Sequence, residues 1–289
     1  MSELTGPVEI VGAGLLGTSI GLACARAGIE ALLSDVTDEN IRTASQLGAG
    51  RPRRDGDRPQ LVVVAVPPDH LGREIVAALR RTNAVVTDVG SIKSEPEREV
   101  VAQAPDEAER YVGGHPMAGS ERSGPLAANA ALFDGRPWAV TPHPGSPADA
   151  VALVEELARV CGAVPVRMSP VEHDQAVART SHLPHLLAVL VASRLAGSPD
   201  SHLALSGQGV RDVTRVAGGD PVLWQQIVTL NATALHGLLA EVREELDVMQ
   251  RAVSSGDRTV LGALLARGVA GTLATVSYTH LTLPTIYSV

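Results

Sequence analysis

Six consecutive residues near the N-terminus carry chemistry that is readable from residue type and spacing. Gly12-Ala13-Gly14-Leu15-Leu16-Gly17 falls where a short apolar run, Val8 to Val11, gives way to helical spacing. At such a turn the first glycine permits the tight bend. The second removes a Cβ so that backbone can approach a pyrophosphate, and the third lets the helix pack on the strand. The N–H groups and the positive dipole end of the helix favour phosphate. Asp35 lies 18 residues past Gly17, at the end of the next apolar run. Its carboxylate can accept from both ribose hydroxyls and would repel a 2′-phosphate, so the pattern predicts NAD as cofactor rather than NADP. Gly12, Gly14, Leu15, Leu16, Gly17, Asp35 and Pro67, which ends the third apolar run, are the candidate cofactor contacts. No long accessory segment of the FAD type is visible, which disfavours a flavin.

The elements that must hold these residues alternate. Strands are expected at 8–11, 31–35, 61–66, 84–88, 111–112, 138–141 and 164–168, with helices at 15–27, 39–47, 71–80, 95–102 and 147–160. The run Leu61 to Val66 is apolar throughout, as a parallel strand covered on both faces requires. Arg51 to Pro59 reads as a polar loop. Strands separated by helices imply an α/β, Rossmann-type doubly wound sheet. Beyond Ser169 only helices are expected, one over 171–196 and one from Asp220 to Gly256. In the second, Asp220 is the N-cap, Pro221 the first helical residue and Gly256 the stop. So long a periodic helix suggests a partner seam, and with it a homodimer. The expected domains are 1–169, a nucleotide-binding domain, and 170–275, an all-helical C-terminal domain for substrate and dimerisation.

Composition narrows the function classes. The chain has 289 residues, 45% of them hydrophobic and 19% charged, enough for a sizeable core. A net charge of -8 without a basic tract disfavours nucleic acid and anionic membranes as partners. No apolar run reaches the length of a membrane span, and no secretory signal pattern opens the chain, so a cytoplasmic location is expected. Cys24 and Cys161 have neither a CxxC partner nor metal-ligand spacing and read as buried small hydrophobes. His182 and His185 are three apart, which puts two imidazoles on one helix face. No third ligand stands at suitable spacing, so no metal is expected. The segment from about Val276, VSYTHLTLPTIYSV, differs in composition from everything before it. It is expected to be non-native or disordered over 276–289.

Four further stretches resemble one family. Gly113-Gly-His115-Pro-Met-Ala-Gly119-Ser-Glu121-Arg-Ser-Gly124 is similar to the central motif of the TyrA family, the prephenate and arogenate dehydrogenases. Asp88-Val-Gly-Ser91-Ile-Lys93, Ser181-His182-Leu-Pro-His185, and the run from Arg211 through Asp212, Arg215 and Asp220 to Trp224 resemble the same family in the same order. The resemblance covers about residues 8 to 270. It implies NAD-dependent oxidative decarboxylation of a cyclohexadienol, with prephenate or arogenate as the small-molecule substrate. By that resemblance His115 is the catalytic base, and Ser91 hydrogen-bonds it and fixes its tautomer. Arg215 grips a substrate carboxylate, and Glu121 and Asp212 form an ionic network with it. His182, His185 and Trp224 line the pocket. The remaining histidines, His173 among them, match no motif and read as structural or surface.

The resemblance does not separate prephenate from arogenate, since both carry the ring carboxylate and the C4 hydroxyl. β-Hydroxyacid dehydrogenases also join a Rossmann domain to helices, but they use a lysine of the second domain, and no lysine follows Ser169. A non-enzymatic NAD sensor would not need His115, Ser91 and Arg215 together. A regulatory ACT domain, carried by many members of the family, is not visible.

Overall fold

A computed structural model describes residues 3–119 and 122–282, with 276–282 given by backbone course alone. Two compact units divide the chain, Met1–Leu235 and His236–Val289.

The first unit opens with a five-stranded sheet built from β1 (Val8–Val11), β2 (Ala31–Ser34), β3 (Arg51–Pro52), β4 (Leu61–Val64) and β5 (Val85–Asp88). The strand order is β3-β2-β1-β4-β5, and every pair is parallel. The crossovers carry α1 (Leu15–Arg26), α2 (Asp38–Gln46), α3 (Leu71–Arg81) and α4 (Ser94–Gln103). All four residues of β4 are fully buried, because helices cover both faces of the sheet. β3 pairs over only two residues, within the stretch expected to be loop.

Parallel strands share a carboxyl edge. Val11, Ser34, Val64 and Asp88 therefore deliver Gly12, Asp35, Pro67 and Ser91 to one side of the molecule. Sites in open α/β folds form at that edge.

A second, three-stranded sheet follows, of β6 (Val112–Pro116), β7 (Pro137–Pro142) and β8 (Val164–Arg167), with α5 (Ala148–Val160) between the last two. β6 runs antiparallel to β7, and β7 parallel to β8. A parallel bridge from Val86 to Tyr111 links β5 to the start of β6. The strand expected at 111–112 is thus longer, and His115 sits on it, paired with Ala139, rather than in a loop. Cys24 and Cys161 are buried free thiols, the former pushed up to about 12 by burial.

The chain beyond β8 is helical: α6 (Pro170–Val177), α7 (Leu183–Ser193), α8 (Asp200–Leu203), α9 (Gln208–Arg215), α10 (Pro221–Leu230) and α11 (Ala232–Ser255). Both expected long helices are broken, each for a local reason. Between α6 and α7 a π-helical turn spans Ala178–His182, closed by Leu183 N–H donating to the Ala178 carbonyl. Pro184 lacks an N–H, and in a regular helix its ring would strike the carbonyl of Thr180, so the chain widens one turn to admit it. Between α10 and α11, Asn231 leaves the helical region at φ -105, ψ 25. Its side chain is committed to α6, as described below. Asp220 does cap α10, its Oδ1 accepting from Val222 N at 2.9 Å.

The second unit comprises the rest of α11 and α12 (Arg258–Thr282). Gly256, at φ +68, turns the chain, and Asp257 caps α12 by accepting from Thr259 N and Val260 N. Arg267 pairs with Glu245 at 3.0 Å. The backbone of α12 runs on through Thr282, so residues 276–282 of the tail expected to be non-native or disordered are helical. Residues 283–289 lie outside the described residues. None of the described helices is long and apolar enough to cross a membrane.

Candidate active site

The glycine turn forms a cradle whose three glycines do different work. Gly12 sits at φ +103, and a Cβ there would lie 2.3 Å from the Ala65 carbonyl oxygen. A Cβ on Gly17 would lie 1.9 Å from the Gly12 oxygen. Gly14 faces open space, with nothing within 4 Å of the position its Cβ would take. No side chain caps α1, which begins at Leu15 and continues through Leu16, so its first N–H groups are left for a ligand. Asp35 closes the cradle: Oδ2 accepts from Ala13 N at 2.7 Å, and Oδ1 from Thr37 N at 2.8 Å. Pro67 follows β4 along the same edge. Open space at Gly14, a bare helix end and a neighbouring carboxylate together fit a dinucleotide.

Beside this edge lies a cavity of about 720 Å³. Ser91, His115, His182, His185, Arg215 and Trp224 all line it. They come from five places: the turn after β5, β6, the π-turn with α7, the last residue of α9, and α10. The π-turn is what brings His182 inward, to 1% exposure. His185 stacks on Trp224 with ring centroids 3.4 Å apart and planes 5° from parallel, and His182 meets the same indole edge-on at 6.0 Å. A Cβ on Gly219 would strike the Trp224 Nε1 at 2.4 Å, so a glycine there leaves room for the indole.

Arg215 is the cavity's cation. Asp212 and Asp220 were the acids able to neutralise it, yet Asp212 accepts from Gln208 Nε2 at 2.7 Å and Asp220 caps α10. Arg215 and Asp212 form no ion pair, and a helical (i, i+4) partner, Gln208, holds one oxygen of that carboxylate. Glu121 lies outside the described residues. Arg136, which no sequence signal marked, lines the cavity as a second guanidinium.

His115 is held from behind. Its Nδ1 lies 2.8 Å from Nε2 of His173, and the two rings meet at 69°. Ser91 shares the cavity, but its hydroxyl makes no hydrogen bond to His115 among the described residues. His173 instead meets the imidazole at Nδ1. That histidine, read as structural or surface, is buried on α6 beside Asp174, and its Nδ1 is 2.8 Å from Asp174 Oδ1. The adjacency His173-Asp174 in the first turns of a helix was the signal available in the sequence.

Asp174 ties α6 to the sheet. It accepts from the backbone N–H groups of Lys93 and Ser94, both at 2.9 Å, and so caps α4 from another element. Its own carbonyl accepts from Asn231 Nδ2 at 2.9 Å, and that amide also meets His182 Nδ1 at 3.1 Å. Lys93, the sole lysine of the sequence, is buried against Asp88 and donates to the Gly114 carbonyl at 2.7 Å, next to His115.

The electrostatics favour neutral imidazoles. Burial, then the neighbouring His173, Lys93 and His182, hold His115 well below the usual histidine range. Burial lowers His173 against the pull of Asp174, and it lowers His182 to about 4. Burial raises the Asp174 carboxyl, but the hydrogen bonds from His173, Ser94 and Lys93 outweigh it, so the group stays ionised below its ordinary range. The cavity thus presents neutral imidazoles and, among the described residues, guanidinium without an acid partner, suited to a carboxylate-bearing molecule that must lose a proton.

Comparison with known proteins matches this arrangement. Residues 20–167 match the family described as prephenate dehydrogenase, nucleotide-binding domain, and residues 169–267 match prephenate dehydrogenase, dimerization domain. The probable prephenate dehydrogenase NovF of Streptomyces niveus is 37% identical over 253 residues, covering 86% of this chain and 70% of that protein. The cyclohexadienyl dehydrogenase of Zymomonas mobilis is 33% identical over 270 residues, covering 86% and 89%. Among solved structures, prephenate dehydrogenase from A. aeolicus in complex with hydroxyphenyl propionate and NAD+ superposes with a TM-score of 0.82 at 25% identity. The match covers 92% of this chain and 97% of that one.

Proposed function

The chain belongs to the prephenate dehydrogenase family, and we propose that within it the protein catalyses NAD-dependent oxidative decarboxylation of prephenate to 4-hydroxyphenylpyruvate, a step of tyrosine biosynthesis. The observation that carries this reading is the convergence, in one cavity, of a neutral His115 held from behind and an Arg215 that forms no ion pair with an acid among the described residues.

The nicotinamide, when bound at the glycine turn, supplies the hydride acceptor. His115 accepts the proton of the C4 hydroxyl, which strengthens electron release from that carbon. A base already neutral at working pH needs no prior deprotonation. Arg215 binds a substrate carboxylate in two-pronged fashion and so orients the ring, and Arg136 offers a second cation to a substrate with two carboxylates. Ser91 contacts the reacting end, and His182, His185 and Trp224 form the apolar and polar wall against the ring and side chain. Loss of the ring carboxylate as CO2 then leaves an aromatic product.

The same reading gives residues 1–169 to the nucleotide and 170–275 to the substrate and to pairing of two copies in a homodimer. The match of 169–267 to a dimerization domain supports that pairing. A cytoplasmic location is part of the same proposal.

The test is absorbance at the nicotinamide band, with prephenate and arogenate compared side by side and His115→Asn as control. NADH formation from prephenate is expected, with kcat lowered on the order of 10²–10⁴-fold in the variant. Turnover of arogenate alone would reassign the substrate, and a variant at full rate would remove the base.

A further inference from the structure

His173 is 1% exposed, and the reaction as described makes no use of it. Its two nitrogens are nonetheless both engaged at 2.8 Å, one by His115 and one by Asp174. With His173 neutral, as its burial favours, hydrogen-bond chemistry allows one proton arrangement along this row. The Asp174 carboxylate, fixed by the N–H groups of Lys93 and Ser94, can only accept, so His173 carries its proton on Nδ1. A neutral His173 then turns a lone pair on Nε2 toward His115. The facing nitrogen of His115, Nδ1, must therefore bear a proton, which leaves the lone pair of His115 on Nε2.

We propose that His173 and Asp174 are a positioning pair that locks His115 in the Nδ1–H tautomer, so that Nε2 is the nitrogen that takes the substrate's proton. The naming of that proton rests on the function proposed above, whereas the tautomer does not. The pair resides on α6 and its client on β6, so the seating of the helical segment against the sheet sets the protonation geometry of the base. Asp174 also supplies a counter-charge one ring removed from His115, which stabilises the imidazolium formed when the proton arrives. An acid placed in direct contact would achieve the same at the cost of holding the base protonated at rest. Asn231 fastens the pair from the other side through the Asp174 carbonyl.

The experiment is long-range nitrogen–proton NMR on the full chain labelled with 15N-histidine, the His115 signals being assigned with His115→Asn. It is paired with steady-state kinetics of His173→Leu and His173→Gln. The wild type should show His115 protonated at Nδ1. In His173→Leu that signature should disappear and kcat should fall on the order of 10²-fold with KM unchanged, since orientation of a base acts on the chemical step. In His173→Gln the amide oxygen can accept the same hydrogen bond, so the signature and most of the lost rate should return. A wild-type His115 protonated at Nε2, or a His173→Leu variant with tautomer and kcat unaltered, would overturn the proposal. Should His173→Leu fail to fold, the wild-type tautomer and the His173→Gln variant decide the matter. Absence of turnover on prephenate and arogenate with the Nδ1–H tautomer present would sink the proposed function and leave the positioning pair standing. Normal turnover with the other tautomer would do the reverse.

Discussion

The carboxylate of Asp35 accepts the backbone N–H of Ala13 across 2.7 Å, so the acid at the end of β2 braces the glycine turn that follows β1. One oxygen is given to the turn and the other to Thr37 and Asn40, so the edge that remains for a ribose is already oriented. Asp35→Asn keeps an acceptor for the turn but removes the charge. It is expected to weaken NAD by about tenfold, the worth of a charge-assisted hydrogen bond, and to narrow the preference over NADP. Titration of the two nucleotides against intrinsic fluorescence checks this, and an unchanged ratio would show that the acid serves the turn alone.

Gly14 and Gly17 make opposite predictions from the same motif. A methyl on Gly17 collides with backbone, whereas one on Gly14 meets nothing in the protein. Gly14→Ala should therefore fold with a Tm close to that of the parent and yet bind NAD at least tenfold more weakly, because the methyl enters the space a pyrophosphate needs. Gly17→Ala should lose stability outright. Calorimetric binding beside thermal melts separates the two, and full NAD affinity in Gly14→Ala would mean that the cradle holds no phosphate.

Among the described residues Arg215 has no acid to release, so truncating it should act on the substrate and not on the fold. Arg215→Ala is expected to raise the KM for prephenate by about tenfold to a hundredfold, the equivalent of roughly 1.5–3 kcal/mol for a lost charged hydrogen bond. Its melting temperature should stay within a few degrees of the parent. A KM that does not move, with a lowered melting temperature, would return this arginine to a purely structural role.

The histidine row also sets an acid limit on stability. His182 titrates at about 4 in the fold against 6.5 when exposed, and His115 and His173 are lowered as well. Between those values the unfolded chain binds protons that the folded chain refuses, so stability is complete above about pH 6.5 and declines as the pH falls toward 4. His182 alone accounts for up to ~3 kcal/mol of that decline. Urea midpoints measured across this window should drop steadily, and the drop should be smaller in His182→Gln. A flat profile would contradict the burial of these rings as neutral groups.

Local features of the fold and the site were legible because their causes are local. The turn at Gly12 needs a positive φ, the strand Leu61 to Val64 needs an unbroken apolar run, and Asp220 with Pro221 announces a helix start. Each is a property of a few adjacent residues. The family motifs likewise marked His115, Ser91 and Arg215, which the structure brings to one cavity.

Periodicity failed where a distant partner overruled it. The apolar repeat continues on either side of Asn231, yet the helix breaks there, and its amide is spent on Asp174, 57 residues away. Asp212 looked like the partner of Arg215 until helical spacing gave it to Gln208.

The sequence by itself determined the glycine cradle, its acid and the order of sheet and helices, since backbone preference and hydrophobic spacing are written in neighbouring residues. Only the tertiary structure decided which side chain stands behind the base. His173 reaches His115 across 58 positions and Asp174 reaches Lys93, just ahead of α4, across 81, and no pattern of adjacent residues encodes such pairs. They form because a parallel sheet delivers its loops to one edge and packing seats α6 against it, so that buried polar groups find partners fixed by topology.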